Sequence, residues 1–213
     1  MATPPRGPHR LFFDLWSLFY DLAPVQALVY RPVHDAVVER LRPLGTPRVL
    51  DIGCGTGLLT ARLRRELPAT QVTGCDFSAG MLAQAAGRDR SGPWVRGDAQ
   101  RLPFAAARFE AVVCTESFHW YPDQQAAVAE FFRVLVPGGR VMIETVNPPF
   151  EVFSLAARRL SELTGEPFTW PTRARLRAGL EAVGFRVEEQ RQILRLPAPV
   201  LLPGVLTVAH RPG

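Results

Sequence analysis

The run Val49-Leu-Asp-Ile-Gly-Cys-Gly-Thr-Gly57 puts an acidic residue and three alternating glycines at the end of a short apolar stretch. Glycine permits a tight turn and lets a ligand approach the main chain with no Cβ in the way. A helix that follows such a loop aims its unpaired N–H groups at it, which suits a carboxylate or phosphate. Two common ligands fail on spacing. The dinucleotide fingerprint needs glycines at its first, third and sixth positions, and counting from Gly53 the sixth is Leu58. The phosphate loop GxxxxGKS/T needs a lysine, and the chain has none. Asp51 beside the loop disfavours pyrophosphate and suits an amine or a sulfonium. A methionine moiety carries both, plus a carboxylate for the helix end. The candidate contacts are Asp51, Gly53, Cys54, Gly55 and Gly57. The bland alternative, a plain tight strand-to-helix turn, does not call for three alternating glycines.

Two more acidic residues follow in step. Asp76 closes the next apolar run, and a carboxylate there can accept two hydrogen bonds from a ribose diol. Its alternative role is a helix-start acid before Ser78-Ala79-Gly80-Met81. Phe77 and Met81 would then wall an adenine. In Gly97-Asp98-Ala99-Gln100, Asp98 can accept from an exocyclic amine, the Ala99 N–H can serve a ring nitrogen, and Gln100 completes the turn. On its own this tetrapeptide is also a common turn. Further on, His119 lies in Glu116-Ser-Phe-His-Trp-Tyr-Pro122, and its ordinary pKa near ~6.5 suits a general base. The competing reading is a polar wall; Glu116 is a weaker candidate base. No HExxH, DxD or paired-cysteine metal constellation occurs. The three cysteines, Cys54, Cys75 and Cys114, are widely spaced and read as small buried residues.

These residues need a scaffold that brings strand ends together. Short β-branched runs alternate with helical stretches: strands at Arg48–Ile52, Gln71–Asp76, Trp94–Arg96, Glu110–Thr115 and Arg140–Val146. Helices are expected over Gly57–Leu67, Ser78–Ala86 with Ser78 as N-cap, and Asp123–Leu135, and Pro137-Gly138-Gly139 reads as a turn. That alternation implies an α/β fold, with a mainly parallel, doubly wound sheet covered on both faces. The last third changes rhythm. Helices over Glu151–Leu163 and Thr172–Val183 precede strands Phe185–Leu194 and Val205–His210. The proline-rich link Leu196–Pro203 between those strands is too short for a crossover helix, so an antiparallel finish is expected.

Taken together, Asp51–Gly57, Asp76, Gly97-Asp98-Ala99 with Leu102-Pro103-Phe104, Phe109–Val113 and Arg133–Gly139 resemble the class I S-adenosylmethionine-dependent methyltransferases. The likeness is greatest to the branch that modifies quinones, lipids and secondary metabolites. The resemblance implies a Rossmann-like, seven-stranded sheet with the last strand antiparallel. It implies S-adenosylmethionine as cofactor, with Gly53 and Gly55 under the methionine part, Asp76 on the ribose, and Asp98 with Ala99 on the adenine. It also places Thr115 beside the methionine amino group and the segment after it toward the acceptor. In that family N-terminal helices close over the cofactor, which makes Tyr20 a further contact.

The implied division is one domain, 1–213. Residues 1–10 are a frayed start, 11–44 a helical lid, 45–146 the cofactor core, and 147–213 the closing helices and hairpin. Leu11–Leu22 is rich in aromatics. Phe12, Phe13, Trp16, Phe19 and Tyr20 suit an apolar acceptor or a membrane surface, or simple packing. Val33, Val37, Val38 and Leu41 recur at helical spacing. The formal charge is +5, and all 25 basic residues are arginine. They are scattered; the clusters Arg62–Arg65 and Arg173–Arg177 read as solvated helix faces, so no stable nucleic-acid partner is expected. No apolar run is long enough for a transmembrane span, and cytoplasmic placement is the expectation.

One motif is set aside. Asn147-Pro-Pro-Phe150 matches the pattern of amino-methylating enzymes, but there it follows the fourth strand; here it follows the fifth, where the prolines force an extended exit. The expected reaction is methyl transfer to a small, apolar molecule. The alternatives are transfer to RNA or protein, or cofactor binding without transfer. The motifs encode neither the acceptor nor the oligomeric state.

Overall fold

The computed structural model describes residues 30–45, 47–148, 150–164, 168–193 and 204–213. Tyr20, the aromatic run Leu11–Leu22 and the link Leu196–Pro203 lie outside the described residues. The elements in chain order are α1 (Arg31–Leu41), β1 (Arg48–Ile52), α2 (Leu58–Glu66), β2 (Gln71–Asp76), α3 (Ala79–Arg88), β3 (Trp94–Arg96) and β4 (Phe109–Thr115). Then come α4 (Gln124–Val134), β5 (Leu135–Val146), α5 (Glu151–Thr164), α6 (Arg173–Val183), β6 (Arg186–Ile193) and β7 (Gly204–His210).

The seven strands form one sheet in the order β3-β2-β1-β4-β5-β7-β6. All pair in parallel except β7, which is antiparallel to both β5 and β6. The central strands are buried on both faces, as their near-continuous apolar runs demand. Alternation splits the core in two. Val112 and Cys114 of β4 face Phe131, Leu176 and Leu180 of α4 and α6. Ala111 and Val113 face Val33, Val37, Leu41 and Leu63 of α1 and α2. The helical apolar spacing of α1 is thus accounted for.

Local chemistry sets the helix ends. The Ser78 hydroxyl accepts from Met81 N at 3.3 Å, the Asp123 carboxylate from Ala126 N at 2.9 Å, and the Thr172 hydroxyl from Arg175 N at 3.3 Å. Gly184, at φ 110°, terminates α6. One local expectation is corrected. Pro137-Gly138-Gly139 does not form a turn ahead of a strand; β5 begins at Leu135 and carries these residues as a bulge. The register jumps from Phe109↔Leu135 to Ala111↔Arg140, and Gly138 takes φ 78° to absorb the extra residues.

The strand order also locates a crevice. The chain runs outward from β1 through β2 to β3, then returns to place β4 on the other side of β1. The two strand ends part there, leaving a cleft at the carboxyl edge of β1 and β4. The glycine loop and the segment after Thr115 both emerge at that edge.

Candidate active site

The glycine loop is held from below by β2. Gly53 N and Cys54 N both donate to the Cys75 carbonyl, at 2.8 and 3.1 Å. The Asp76 carboxylate accepts from Gly55 N at 2.9 Å through one oxygen and from Ser78 N at 2.8 Å through the other. Gly53, Gly55 and Gly57 all take positive φ, 67°, 53° and 79°. Their reasons differ. A Cβ on Gly53 would lie 2.2 Å from Ser117 Oγ, and one on Gly57 would lie 2.5 Å from the Trp94 ring. A Cβ on Gly55 would meet nothing within 4 Å. Gly53 and Gly57 are therefore packing glycines, whereas Gly55 faces open space where a ligand can approach the main chain.

That space is a cavity of about 40 Å³ bordered by Tyr30, His34, Asp51, Gly53, Gly55 and Thr115. Asp51 lies beneath it, 1% exposed. Its carboxylate accepts from the Thr60 hydroxyl at 2.5 Å, yet burial still pushes its pKa up to about 6. The neighbouring Asp76 charge adds to that upward shift, and burial raises Asp76 as well. Asp51 is thus a buried carboxylate at this cavity without an ion-pair partner among the described residues, an arrangement that suits a cationic ligand.

Sequence reasoning found Asp51, Gly53, Cys54, Gly55 and Thr115, and all five share this cavity. It missed Tyr30, His34 and Thr56. Thr56 is buried, and its hydroxyl has no hydrogen-bond partner. His34 is held neutral: burial and the nearby Arg62 lower its pKa to about 4. Thr56 was visible inside the glycine motif; Tyr30 and His34 arrive from α1, and no local pattern marks them. The support under Gly53 was also unread. Ser117 Oγ donates to the Ile52 carbonyl at 3.1 Å and lies 2.9 Å from the Tyr121 hydroxyl and 3.1 Å from Cys114 Sγ.

The second and third acidic positions follow along the sheet edge. Phe77 is half exposed beside Asp76, with the Arg96 guanidinium 5.8 Å from its ring, and Met81 is half buried on the first turn of α3. Asp98 turns one oxygen inward, accepting from Gln100 N at 2.9 Å and Gln100 Nε2 at 3.1 Å. The Gln100 carbonyl oxygen accepts from Asp123 N at 2.9 Å, so this side chain ties the turn to α4. Ala99 is buried between them.

His119 occupies a different cavity. It sits in a single helical turn, Phe118–Trp120, 9% exposed, with Nδ1 3.4 Å from the Thr145 hydroxyl. Trp120 and Phe168 are its aromatic neighbours, at ring-centroid distances of 5.0 and 6.3 Å. It lines a space of about 530 Å³ together with Tyr121, Phe168, Pro171 and residues of α4, α5 and α6. Tyr121 joins the two regions: it lines this space, and its hydroxyl reaches Ser117 beneath Gly53. Just ahead, Glu116 takes φ 58°, a costly conformation for a residue with a side chain, where the chain leaves β4.

Two sequence motifs have structural roles. Asn147 is fully buried at the end of β5 and donates through Nδ2 to the Pro171 carbonyl at 2.5 Å, pinning the α5–α6 connection. The cluster Arg62–Arg65 is not a uniformly solvated face. Arg64 is largely buried, donates to Asp89 and to the Val72 and Pro93 carbonyls, and lies 4.6 Å over the Trp94 ring. Arg62 bridges Asp35 and Glu66. Among the described residues, no group of three or more His, Cys, Asp or Glu is placed to hold a metal, and no helix is long and apolar enough to cross a membrane.

Comparison with known proteins agrees with this geometry. Residues 50–143 match the family described as a methyltransferase domain. An uncharacterized methyltransferase of Mycobacterium tuberculosis is 36% identical over 118 residues, 54% of this chain and 59% of that protein. A demethylmenaquinone methyltransferase of Corynebacterium kroppenstedtii is 41% identical over 120 residues, 56% of this chain and 51% of its own length. The chain thus matches between half and three fifths of these curated relatives. In fold, a crystal structure of a methyltransferase-like protein from Bacillus halodurans superposes with a TM-score of 0.70 at 18% identity, covering 84% of this chain and all of the other. Residues 50–143 are a methyltransferase domain, and the sheet that carries them has the class I S-adenosylmethionine-dependent methyltransferase fold.

Proposed function

We propose that the chain binds S-adenosylmethionine over the glycine loop and transfers its methyl group to a small apolar acceptor. The observation that carries this reading is Asp51. It is a fully buried carboxylate under a cavity, hydrogen-bonded to Thr60 and without an ion pair among the described residues, and burial pushes its pKa up to about 6. A methionine ammonium or sulfonium supplies one. The open approach at Gly55 and the start of α2 suit the methionine carboxylate.

Asp76 already accepts one backbone N–H at each oxygen, and each oxygen keeps a second lone-pair site for the ribose diol. The backbone bonds fix the carboxylate's orientation before the ligand arrives. Asp98 offers its remaining oxygen and Ala99 its N–H to the adenine edge, Phe77 and Met81 its faces, and Gln100 holds their turn. Thr115 borders the amino group. Tyr20, outside the described residues, is proposed as a further contact from the segment ahead of α1, which serves as a lid.

The bound sulfonium supplies an activated methyl group. The chain's part is to align the acceptor with the C–S bond and exclude water. Held by the glycine loop, Asp51 and Asp76, the sulfonium would give up its methyl group to the acceptor's lone pair, with the C–S electron pair left on sulfur. Any proton released from the acceptor passes to His119 or to solvent. The Thr145 hydroxyl, 3.4 Å from His119 Nδ1, helps fix the ring. The quinone-methylating relatives and the aromatic side chains of Phe118, Tyr121 and Phe168 on the cavity wall favour an apolar acceptor.

Calorimetry with S-adenosylmethionine and with NAD tests the cofactor reading: micromolar binding of the first and none of the second is expected, and the reverse overturns it. A methyl-transfer screen over extracted metabolites, read by product mass, tests the acceptor class; products confined to RNA or protein would overturn it.

A further inference from the structure

Among the described side chains of helix α5, the buried ones are serines. Ser154 Oγ donates to the Trp170 carbonyl, and Ser161 Oγ accepts from Phe168 N at 3.2 Å. At its first turn, Glu151 accepts from the Thr172 hydroxyl at 2.6 Å. These polar contacts orient the helix, and they leave Val152, Phe153 and Leu155 facing outward. Val152 is 65% exposed, Phe153 45% and Leu155 57%, and Phe150 just ahead is 64% exposed. Among the described residues, the remaining exposed large apolar side chain is Phe77, far away along the sheet. Four such residues within six positions form a patch, where single exposed apolar residues would need no explanation.

Cations follow directly on the same helix. Arg159 is exposed one turn beyond Leu155 on the same face, 3.7 Å from Glu162; Arg158, on the serine side, pairs with Glu162 at 3.0 Å, and Arg175 of α6 borders the same cavity as Arg158. The chain as a whole carries +5. An apolar turn that can sink to the acyl boundary, followed by long-stemmed arginines that can reach up to phosphates, is the chemistry of a helix lying on an anionic bilayer. We propose that the outward face of α5 docks on an anionic lipid surface. Arg158 and Glu162 of this helix line the large cavity together with His119 and Phe168. Docking would set that cavity beside the bilayer, where an apolar molecule can enter without crossing water. The proposal stands apart from the cofactor reading.

The test is flotation of the full chain with vesicles of phosphatidylcholine alone and with a quarter phosphatidylglycerol. Binding to the anionic vesicles, weakened by salt, is expected. Val152→Ser, Phe153→Ser and Leu155→Ser together should cut the bound fraction at least fivefold. Arg158→Gln with Arg159→Gln should abolish the preference for anionic lipid. Thermal melting verifies that the variants fold, whatever the outcome with S-adenosylmethionine. Absence of flotation overturns the proposal, as does a triple-serine variant that floats like the parent. Two other occupants would also overturn it. Sedimentation could reveal a dimer that the serine variant dissolves, with no lipid binding. Hydrogen exchange could reveal residues 11–22 shielded in lipid-free protein and released by the same variant.

Discussion

The two cavities differ in how they are made. The cavity over the glycine loop is framed largely by one continuous motif, residues 51–59, with Thr115 and two residues of α1 added. Its shape comes from backbone: three positive-φ glycines and four N–H donors directed at Cys75 and Asp76. The cavity at His119 is framed by side chains from residues 118–128 and 158–179, which meet only through tertiary packing. A site made of backbone tolerates little change and looks alike wherever it occurs. A site made of side chains can be refitted to another acceptor while the fold stays put. Changes to the first region should therefore move cofactor affinity, and changes to the second should not.

Gly53→Ala should have the largest effect. The added Cβ meets Ser117 Oγ at 2.2 Å, and the backbone is at φ 67°. Clash and strain together should cost about 3–4 kcal/mol. That lowers the melting temperature by about 8–15 °C and abolishes measurable cofactor binding. Gly55→Ala is the control, because its Cβ meets open space. It should cost only about 1 kcal/mol of stability while still weakening the cofactor. Equal losses at the two glycines in a melting experiment would break the distinction between a packing glycine and a ligand-facing one.

Asp51→Asn comes next and carries a signature in pH. The unfolded carboxyl ionises near 3.8 and the folded one near 6. Between those values the unfolded state is the more ionised, so this group removes stability as pH rises through that window; above it the loss is complete. The loss is about 3 kcal/mol at neutral pH. Asparagine keeps an acceptor for Thr60 without the charge. The variant should be more stable than the parent by up to about 3 kcal/mol above pH 6 and equal to it near pH 4. Its affinity for S-adenosylmethionine should fall by about a hundredfold, the effect of removing a buried counter-charge. A pH-independent stability difference in denaturant titrations would remove Asp51 from its role as the cation's partner.

Asp76→Ala should weaken the cofactor by about 1.5–3 kcal/mol, the range for hydrogen bonds to a charged group. It also removes the acceptor for Gly55 N, so part of the loss is loop order. Asp76→Asn separates the two, since it restores one acceptor. Calorimetry with methionine alone, which lacks the ribose, should register the loop effect by itself. An unchanged dissociation constant for the full cofactor would rule out the ribose contact.

The same contrast explains what could be read before any coordinates existed. Strand β2 was legible to the residue, because the short run Gln71-Val-Thr-Gly-Cys follows the Pro68 helix stop and Asp76 closes it. The glycine loop was legible because its function is local: turn, helix start and counter-charge all fall within seven residues. Arg64 was misread as a surface residue. A guanidinium that caps carbonyls of two other segments leaves no mark in its own neighbourhood. Pro137-Gly138-Gly139 carried a true turn signal, but pairing of Leu135 with Phe109 overrode it and made it a bulge. Tyr30, just ahead of α1, and His34 within it reach the cavity over the glycine loop by tertiary approach alone, as Phe168 reaches His119. The cavity at His119 is built by side-chain packing, so it was the least legible.

His119→Gln should have the smallest effect on the cofactor. The histidine lies in the side-chain cavity, joined to the loop only through Tyr121 and Ser117. Its cofactor dissociation constant should move by less than twofold. Turnover is the discriminating quantity. A positioned base commonly contributes about a hundredfold or more, so turnover should fall by at least that while cofactor binding holds. A variant with unchanged turnover would make His119 a wall of the cavity. A variant that loses cofactor affinity as well would show that the two regions are coupled through Ser117, and the separation drawn between them would have to be abandoned.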